Sequence, residues 1–177
     1  MTAKAFIDES ARSGYFVCAA VVTMGDLTQV RKSVGVLRSP GASRVHMSKE
    51  RPARRRQILS VVTEMPVRAY LYEAPLAGRS QRAARDDCLR HLVADLVSLN
   101  VGHAVLESCD QDHQDLKVIS QTLWPLGATK QLQYGHHGPT EEKLLWLPDI
   151  IAWAYGAGGD WRRRVMPVIA QVRATGS

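Results

Sequence analysis

The stretch that decides the fold is the N-terminal segment 3–23, AKAFIDESARSGYFVCAAVVT. It contains two short apolar runs, at 3–8 and 14–23, which are rich in Ala, Val and aromatic residues. Runs of this length and composition, separated by polar and small residues, predict two strands joined as an antiparallel hairpin. The first strand would end on the acidic pair Asp8 and Glu9.

The remainder of the chain alternates between helical and strand patterns. Helical spacing of apolar residues covers 27–38, 52–64, 80–99, 112–123 and 141–157, with 161–172 extending or following the last helix. Strand patterns cover 66–74, 101–108 and 129–134, and a short strand is expected around 44–47. Strands that alternate with helices favour right-handed parallel crossovers. The sequence therefore predicts an α/β protein whose mixed sheet carries helices on both faces.

Length and composition limit the class of protein. The 177 residues are enough for one domain, and 45% apolar with 23% charged residues is typical of a globular protein. No apolar run approaches the 18 or so residues of a membrane span, and the acidic N-terminus does not resemble an export signal. Three cysteines without CxxC spacing favour a reducing cytoplasm, with neither a disulfide framework nor a zinc site.

The charge balance is basic, because 23 Lys and Arg residues outnumber 17 Asp and Glu residues. A net charge of +6 favours a polyanionic partner such as nucleic acid. Arg51, Arg54 and Arg55 would share one face of the helix at 52–64, close to Lys49, and could follow a phosphate backbone. The alternative interpretation of these cations is a solvated helix face.

Carboxylates lie at the ends of several predicted elements. Asp8 and Glu9 end the first strand, Glu107 lies near the end of the strand at 101–108 with Asp110 behind it, and Asp149 lies near a helix start. If these groups converge, they offer the oxygen ligands that Mg²⁺ and Mn²⁺ prefer, with room for two ions about 4 Å apart. The alternatives are a turn residue, an exposed strand end and a helix-start acid stabilised by the helix dipole.

Histidine and tryptophan residues add further candidates. His46, in RVHMSKE, could position water or contact a phosphate, or could be a surface histidine. His136 and His137 fall in a predicted loop before the helix of Asp149. Trp146 and Trp153 share a helix face, where core packing competes with stacking on bases.

Four segments, in this order, resemble a known family. They are FIDES at 6–10, GYFVCAAVV at 14–22, LESCD at 106–110 and LPDIIAWAYG at 147–156. Together they resemble a family of ribonuclease-H-like proteins that is widespread in bacteria and phages. Family members usually have Ala where this chain has Pro148 and often Gly where it has Ala11.

The resemblance implies one domain over 1–177, with a core of about 4–165, a short C-terminal tail and a five-stranded mixed sheet whose first three strands are antiparallel. It also implies that Asp8, Glu107 and Asp149 are the metal ligands, with Glu9 and Asp110 as further ligands or neighbours. His46 would lie near the site.

The expected function is therefore a metal-dependent nuclease that hydrolyses phosphodiester bonds with one or two Mg²⁺ or Mn²⁺ ions. Two alternatives stay open. One is a nucleic-acid-binding or regulatory module of the same fold with little or no catalysis. The other is a protein-interaction component that uses its Trp-rich C-terminal helix, for example as a homodimer.

Overall fold

The N-terminal hairpin forms the centre of the sheet in the computed structural model, which describes residues 2–12 and 14–176. Strand β1 (Ala3–Ser10) pairs antiparallel with β2 (Tyr15–Thr23), in a register that places Phe6 opposite Ala20. The predicted hairpin is thus confirmed. Ser13, in the predicted turn, lies outside the described residues.

Four further strands complete a six-stranded mixed sheet in the order β5-β4-β1-β2-β3-β6. They are β3 (Arg68–Ala74), β4 (Val101–Glu107), β5 (Gln133–His137) and β6 (Ile169–Ala174). Strand β3 is antiparallel to β2, whereas β4 runs parallel to β1, β5 parallel to β4, and β6 parallel to β3. The predicted α/β class with a mixed sheet is confirmed.

In the described part of the chain, six helices cover the two faces of this sheet. They are α1 (Leu27–Gly35), α2 (Pro52–Thr63), α3 (Gln81–Ser98), α4 (Asp112–Leu123), α5 (Trp146–Ala157) and α6 (Gly159–Val165). Short 3₁₀ turns cover Met47–Lys49, Lys143–Leu145 and Met166–Val168. Within residues 2–12 and 14–176, no helix is both long and apolar enough to span a bilayer.

Strand β1 separates two apolar cores because its side chains alternate between the faces. Phe6 points into the core under α1, α2 and α5, while Ala5 and Ile7 point into the core under α3 and α4. The same alternation carries Asp8 to the first face and Glu9 to the second. The carboxylates of Asp8 and Glu9 therefore lie on opposite faces of the sheet.

The C-terminal region departs from the sequence prediction. The sheet has six strands and not five, since the segment expected as helix and tail forms α6, a 3₁₀ turn and β6. Gly158 and Gly159 adopt positive φ angles of 71° and 53°, which end α5. Pro167 then lies in the turn that leads to β6, where the backbone pairs with the edge of β3.

Two local expectations are also wrong. The segment 44–47 forms no strand: it is irregular and leads into the 3₁₀ turn at Met47–Lys49. The last predicted strand begins four residues later than expected, so that His136 and His137 lie in β5 and not in a loop. Both segments are short and mix polar with apolar residues, so their hydropathy pattern is too weak to predict where a strand begins or ends.

Candidate active site

Three acidic residues are brought to one edge of the sheet by three elements. Asp8 lies near the end of β1, Glu107 is the last residue of β4, and Asp149 lies in the first turn of α5. Strands β1 and β4 are parallel neighbours, so their carboxyl ends meet at the same edge. Helix α5 packs across β1 and β2 and brings Asp149 over that edge.

The pKa of Asp8 reflects the influence of Glu107 and Asp149. Burial raises this pKa well above its ordinary value, and the charge of Glu107, a hydrogen bond with the Glu107 carboxyl and the charge of Asp149 raise it further. The Glu9 backbone N–H donates to Asp8 Oδ1 at 2.7 Å and acts in the opposite direction. The charges of Glu107 and Asp149 therefore destabilise the ionised form of Asp8.

Asp149 is in a related environment. Burial raises its pKa, and the charge of Glu107 contributes in the same direction. The charges of His46 and Arg44 and the Met47 backbone N–H, at 3.4 Å from Asp149 Oδ2, only partly compensate. The three carboxylates thus form one electrostatically coupled group, here named the acidic cluster: Asp8, Glu107 and Asp149.

The loop before α2 supplies the polar partners of the acidic cluster. Arg44 Nη1 lies 2.9 Å from Glu107 Oε1, and His46 Nδ1 lies 3.6 Å from Asp149 Oδ2, just beyond hydrogen-bonding distance. In the described part of the chain, His46 Nδ1 and Glu107 Oε2 are buried without a fixed hydrogen-bond partner. A protonated Asp8 would donate a second hydrogen bond to the Glu107 carboxylate, beside that of Arg44. Buried polar atoms of this kind need a partner, which can be an ordered water or a ligand.

The donor set of the acidic cluster suits hard divalent cations. Carboxylate oxygens are the ligands that Mg²⁺ and Mn²⁺ prefer, and a cation would relieve the repulsion that raises the pKa of Asp8. The three carboxylates are not among the described sets whose ligand atoms all lie within 4.8 Å of one another. Two ions about 4 Å apart would tolerate a wider spacing of their ligands than a single ion does.

A second polar group lies on the opposite face of the sheet and is here named the Arg85 network: Glu9, Arg85, Asp115 and His136. Arg85, only 4% exposed, binds both oxygens of the fully buried Asp115 at 2.8 Å and Glu9 Oε2 at 2.6 Å. His136 Nε2 adds a contact of 2.9 Å to Asp115 Oδ2. Glu9 also accepts a hydrogen bond from the Tyr15 hydroxyl.

The Arg85 network has the opposite electrostatics to the acidic cluster. Burial alone would raise the pKa of Asp115, but hydrogen bonds from Arg85 and His136, together with their charges, lower it below its ordinary value. Burial would also lower the pKa of Arg85, yet the bonds and charges of Asp115 and Glu9 raise it. Each charge is paired with another, which is typical of a structural ion pair.

Beside this network, ligand atoms of Cys109, Asp112 and Asp115 lie within 4.8 Å of one another and could hold a metal ion. Both Asp115 oxygens already bind the Arg85 guanidinium, and both Asp112 oxygens accept hydrogen bonds, from the Cys109 N–H and the Ser108 hydroxyl. A cation there would displace existing partners. At the acidic cluster it would instead offset the repulsion among the carboxylates and could bind Glu107 Oε2, which lacks a hydrogen-bond partner. The acidic cluster is therefore the better candidate for a metal site.

The other predicted site residues are more dispersed. Glu9 is drawn into the Arg85 network, and Asp110 is exposed in the loop after β4. Of the basic row, Arg54 Nη2 donates to the Leu37 carbonyl at 2.6 Å, and Arg55 donates to the carbonyls of the 3₁₀ turn at Met47–Lys49. These two arginines therefore hold the loop that carries His46.

Lys49 and Arg51 remain exposed. Lys49 lines a cavity of about 650 Å³ that Arg44 and His46 also border. A neighbouring cavity of about 330 Å³ is bordered by His46, Asp149 and Trp153. The two cavities share His46, and the smaller one reaches Asp149 of the acidic cluster.

Sequence reasoning missed the Arg85 network. One signal was present, since Arg85 follows Ala84 and falls at helical spacing from Leu89 and Leu92, on the apolar stripe of α3. A charged residue in such a stripe needs a buried partner. The partner could not be predicted from the sequence, because Asp115 belongs to another helix, whose first turn also carries Asp112.

A comparison with protein-family models and with curated protein sequences gave no match. The functional interpretation therefore depends on the geometry and chemistry of the site.

Proposed function

We propose that this protein is a metal-dependent nuclease with a ribonuclease-H-like fold. The single observation that carries the proposal is the acidic cluster, in which carboxylates from β1, β4 and α5 repel one another at one sheet edge. Three antiparallel strands followed by two parallel ones agree with the fold implied by the sequence resemblance, and β6 is an addition to it.

The residues fit the cofactor. Asp8, Glu107 and Asp149 would hold one or two Mg²⁺ or Mn²⁺ ions, which in such sites activate water and stabilise the leaving oxygen of a phosphodiester. Arg44 orients Glu107 through its 2.9 Å ion pair. His46 lies beside Asp149 with a free ring nitrogen that could orient a water or a phosphate oxygen.

The surroundings of the acidic cluster support a polyanionic substrate. Arg44 and Lys49 border the larger cavity, and Arg12 borders the smaller one. The net charge of +6 acts in the same direction. Cations in the cavities beside a metal-binding centre suit a phosphate backbone that passes it.

The direct test is cleavage of labelled single-stranded and duplex DNA and RNA in Mn²⁺ or Mg²⁺. We expect the wild-type protein to cleave at least one substrate, Asp8→Asn to be inactive, and Asp112→Asn, on the other face, to retain activity. Absence of cleavage with every substrate and metal, by a folded wild-type protein, would refute the nuclease.

One observation favours a nucleic-acid-binding module without catalysis. Arg44 already pairs with Glu107, and a shared proton between Asp8 and Glu107 would reduce the repulsion without a metal. Under this alternative the protein binds nucleic acid equally well in Mn²⁺ and in EDTA and cleaves nothing. Calorimetry with Mn²⁺ separates the two functions, since only the nuclease requires an Asp8-dependent ion.

The protein-interaction alternative has less support, because Trp146 is buried and donates to the Pro139 carbonyl at 2.7 Å. A homodimer and a cytoplasmic location remain predictions from the sequence.

A further inference from the structure

Trp153 borders the same cavity as Asp149 of the acidic cluster. It lies on α5 four residues after Asp149, so the two side chains share one face of the helix. The indole borders two adjoining cavities, of about 330 Å³ and about 240 Å³, both of which Ser10 and Arg12 also line. Trp153 is half-buried, so it packs against the apolar core and also borders this groove.

The indole is held in place by two aromatic and cationic contacts. The Arg55 guanidinium lies over one face of the Trp153 ring, 4.3 Å from its centre, and Trp161 meets the ring edge-on at 5.6 Å. A base can therefore contact only the part of the indole that Arg55 leaves uncovered. Arg55 is itself fixed by hydrogen bonds of 2.9 Å to the Met47 carbonyl and 3.1 Å to the Ser48 carbonyl. The ring is therefore a preorganised surface that loses little freedom when a ligand binds.

The same groove is lined by polar and charged residues, which include Arg12 and the acidic residues Glu9 and Asp149. Arg12 is exposed in the β1–β2 connection and has no ion-pair partner among residues 2–12 and 14–176. Ser10 and Ser48 add hydroxyl groups. The groove thus combines an aromatic ring, hydroxyl groups and a guanidinium without an ion-pair partner in the described part of the chain. These groups match the two halves of a nucleotide, which are a planar base and an anionic phosphate.

From this geometry we infer that the groove between Trp153 and Arg12 binds the nucleotide that flanks the cleaved bond, in a single-stranded nucleic acid. The base contacts Trp153, and the phosphate binds Arg12. A paired base in a duplex has its faces covered by its neighbours, so only an unpaired strand can use the Trp153 ring in this way. This inference rests on the proposed nuclease function and specifies the strand state of its substrate.

The test measures binding without hydrolysis, by fluorescence anisotropy of a labelled 12-nucleotide single strand and of the matching duplex, in EDTA. Trp153→Ala should weaken binding of the single strand by about tenfold, because loss of one base–aromatic stack has an effect of this order. Trp124→Ala is the matched control, since Trp124 is 78% exposed on the opposite side and borders neither cavity. The Trp124→Ala variant should bind the single strand with the affinity of the wild type.

Two further variants keep the test decisive if Trp153→Ala unfolds. Trp153→Phe retains a ring and should recover most of the affinity for the single strand. Arg12 is exposed, so we expect Arg12→Gln to fold. It should weaken binding severalfold and lower the salt dependence of binding by about one ion. Wild-type preference for the duplex, or unchanged single-strand binding by folded Trp153→Ala and Arg12→Gln, would overturn the inference.

The result is separable from the nuclease proposal. If Trp153→Ala binds like the wild type while Mn²⁺-dependent cleavage is lost in Asp8→Asn, the groove assignment is wrong and the nuclease stands. If Trp153→Ala weakens binding but no metal supports cleavage, the groove assignment stands and the nuclease is wrong.

Discussion

Asp8 and Glu9 are neighbours on β1, yet they belong to regions with opposite electrostatics. Asp8 points into the acidic cluster, where burial and two other carboxylates raise its pKa. Glu9 points through the other face into the Arg85 network, where a nearly buried guanidinium and a tyrosine hydroxyl bind it. Adjacent residues of β1 therefore differ in their partners, because successive side chains point to opposite faces of the sheet: Asp8 lies among like charges, whereas Glu9 is paired with Arg85.

The difference shows which buried carboxylates stabilise the fold and which are kept for function. A folded chain has no reason to bury repelling acids for stability, because removing their charge would be favourable. The Arg85 network, by contrast, pairs each charge and joins β1, α3, α4 and β5. The contrast leads to four predictions, from the largest expected effect to the smallest.

Arg85→Met should be the most destabilising change, because it leaves Asp115 buried without its main partner. We expect the free energy of unfolding to fall by about 3–5 kcal/mol, measured by urea denaturation near pH 7. Arg90→Met is the matched control on the same helix; its ion pair with Asp87 is exposed, so its loss should change stability by less than about 0.5 kcal/mol. Equal effects of the two variants would contradict the contrast.

Asp149→Asn should weaken Mn²⁺ binding by at least about a hundredfold, since even residues that only orient a metal ligand contribute 10–100-fold. Isothermal titration calorimetry measures the affinity. Asp160→Asn, an exposed acid on α6 paired with Arg163 and Arg164, is the control and should bind Mn²⁺ like the wild type. An unchanged affinity in Asp149→Asn would remove this residue from the metal site.

His46→Gln should lower the cleavage rate by about tenfold, because His46 lies beside Asp149 without a hydrogen-bond partner for Nδ1. The melting temperature should be nearly unchanged, since His46 is partly exposed. A rate equal to that of the wild type would show that His46 takes no part in the reaction.

Asp8→Asn should stabilise the metal-free protein. The folded state raises the pKa of Asp8, so this group contributes its stability below its ordinary pKa and loses it as pH rises through the raised value. The variant should therefore gain roughly 1 kcal/mol at pH 8, a rise of about 2–4 °C in melting temperature, and little at pH 4. A lower melting temperature than that of the wild type at pH 8, without metal, would argue against repulsion.

Much of the fold could be predicted because its signals are local. The β1–β2 hairpin and helices α2 to α5 follow from apolar runs and their periodicity. Strand β6 could not be predicted, because its few side chains repeat no clear pattern and its pairing with β3 depends on Gly158 and Gly159 ending α5. An edge strand that is mostly exposed leaves little trace in hydropathy.

The candidate site was predictable for a different reason. Asp8, Glu107 and Asp149 each adjoin apolar runs, so their elements could be placed, and parallel strands bring their ends together. The partners of the basic residues could not be read, since Arg54 and Arg55 bind backbone carbonyls that only the folded loop presents. Asp115 and His136 were hidden because long-range pairing decides their burial.

The most direct test of the central contrast is a crystal structure of the protein soaked in Mn²⁺, with anomalous diffraction data. We expect anomalous density among the carboxylates of Asp8, Glu107 and Asp149, and none beside Cys109, Asp112 and Asp115, where Arg85 already supplies the positive charge. Density only at the second position, or at neither, would contradict the account.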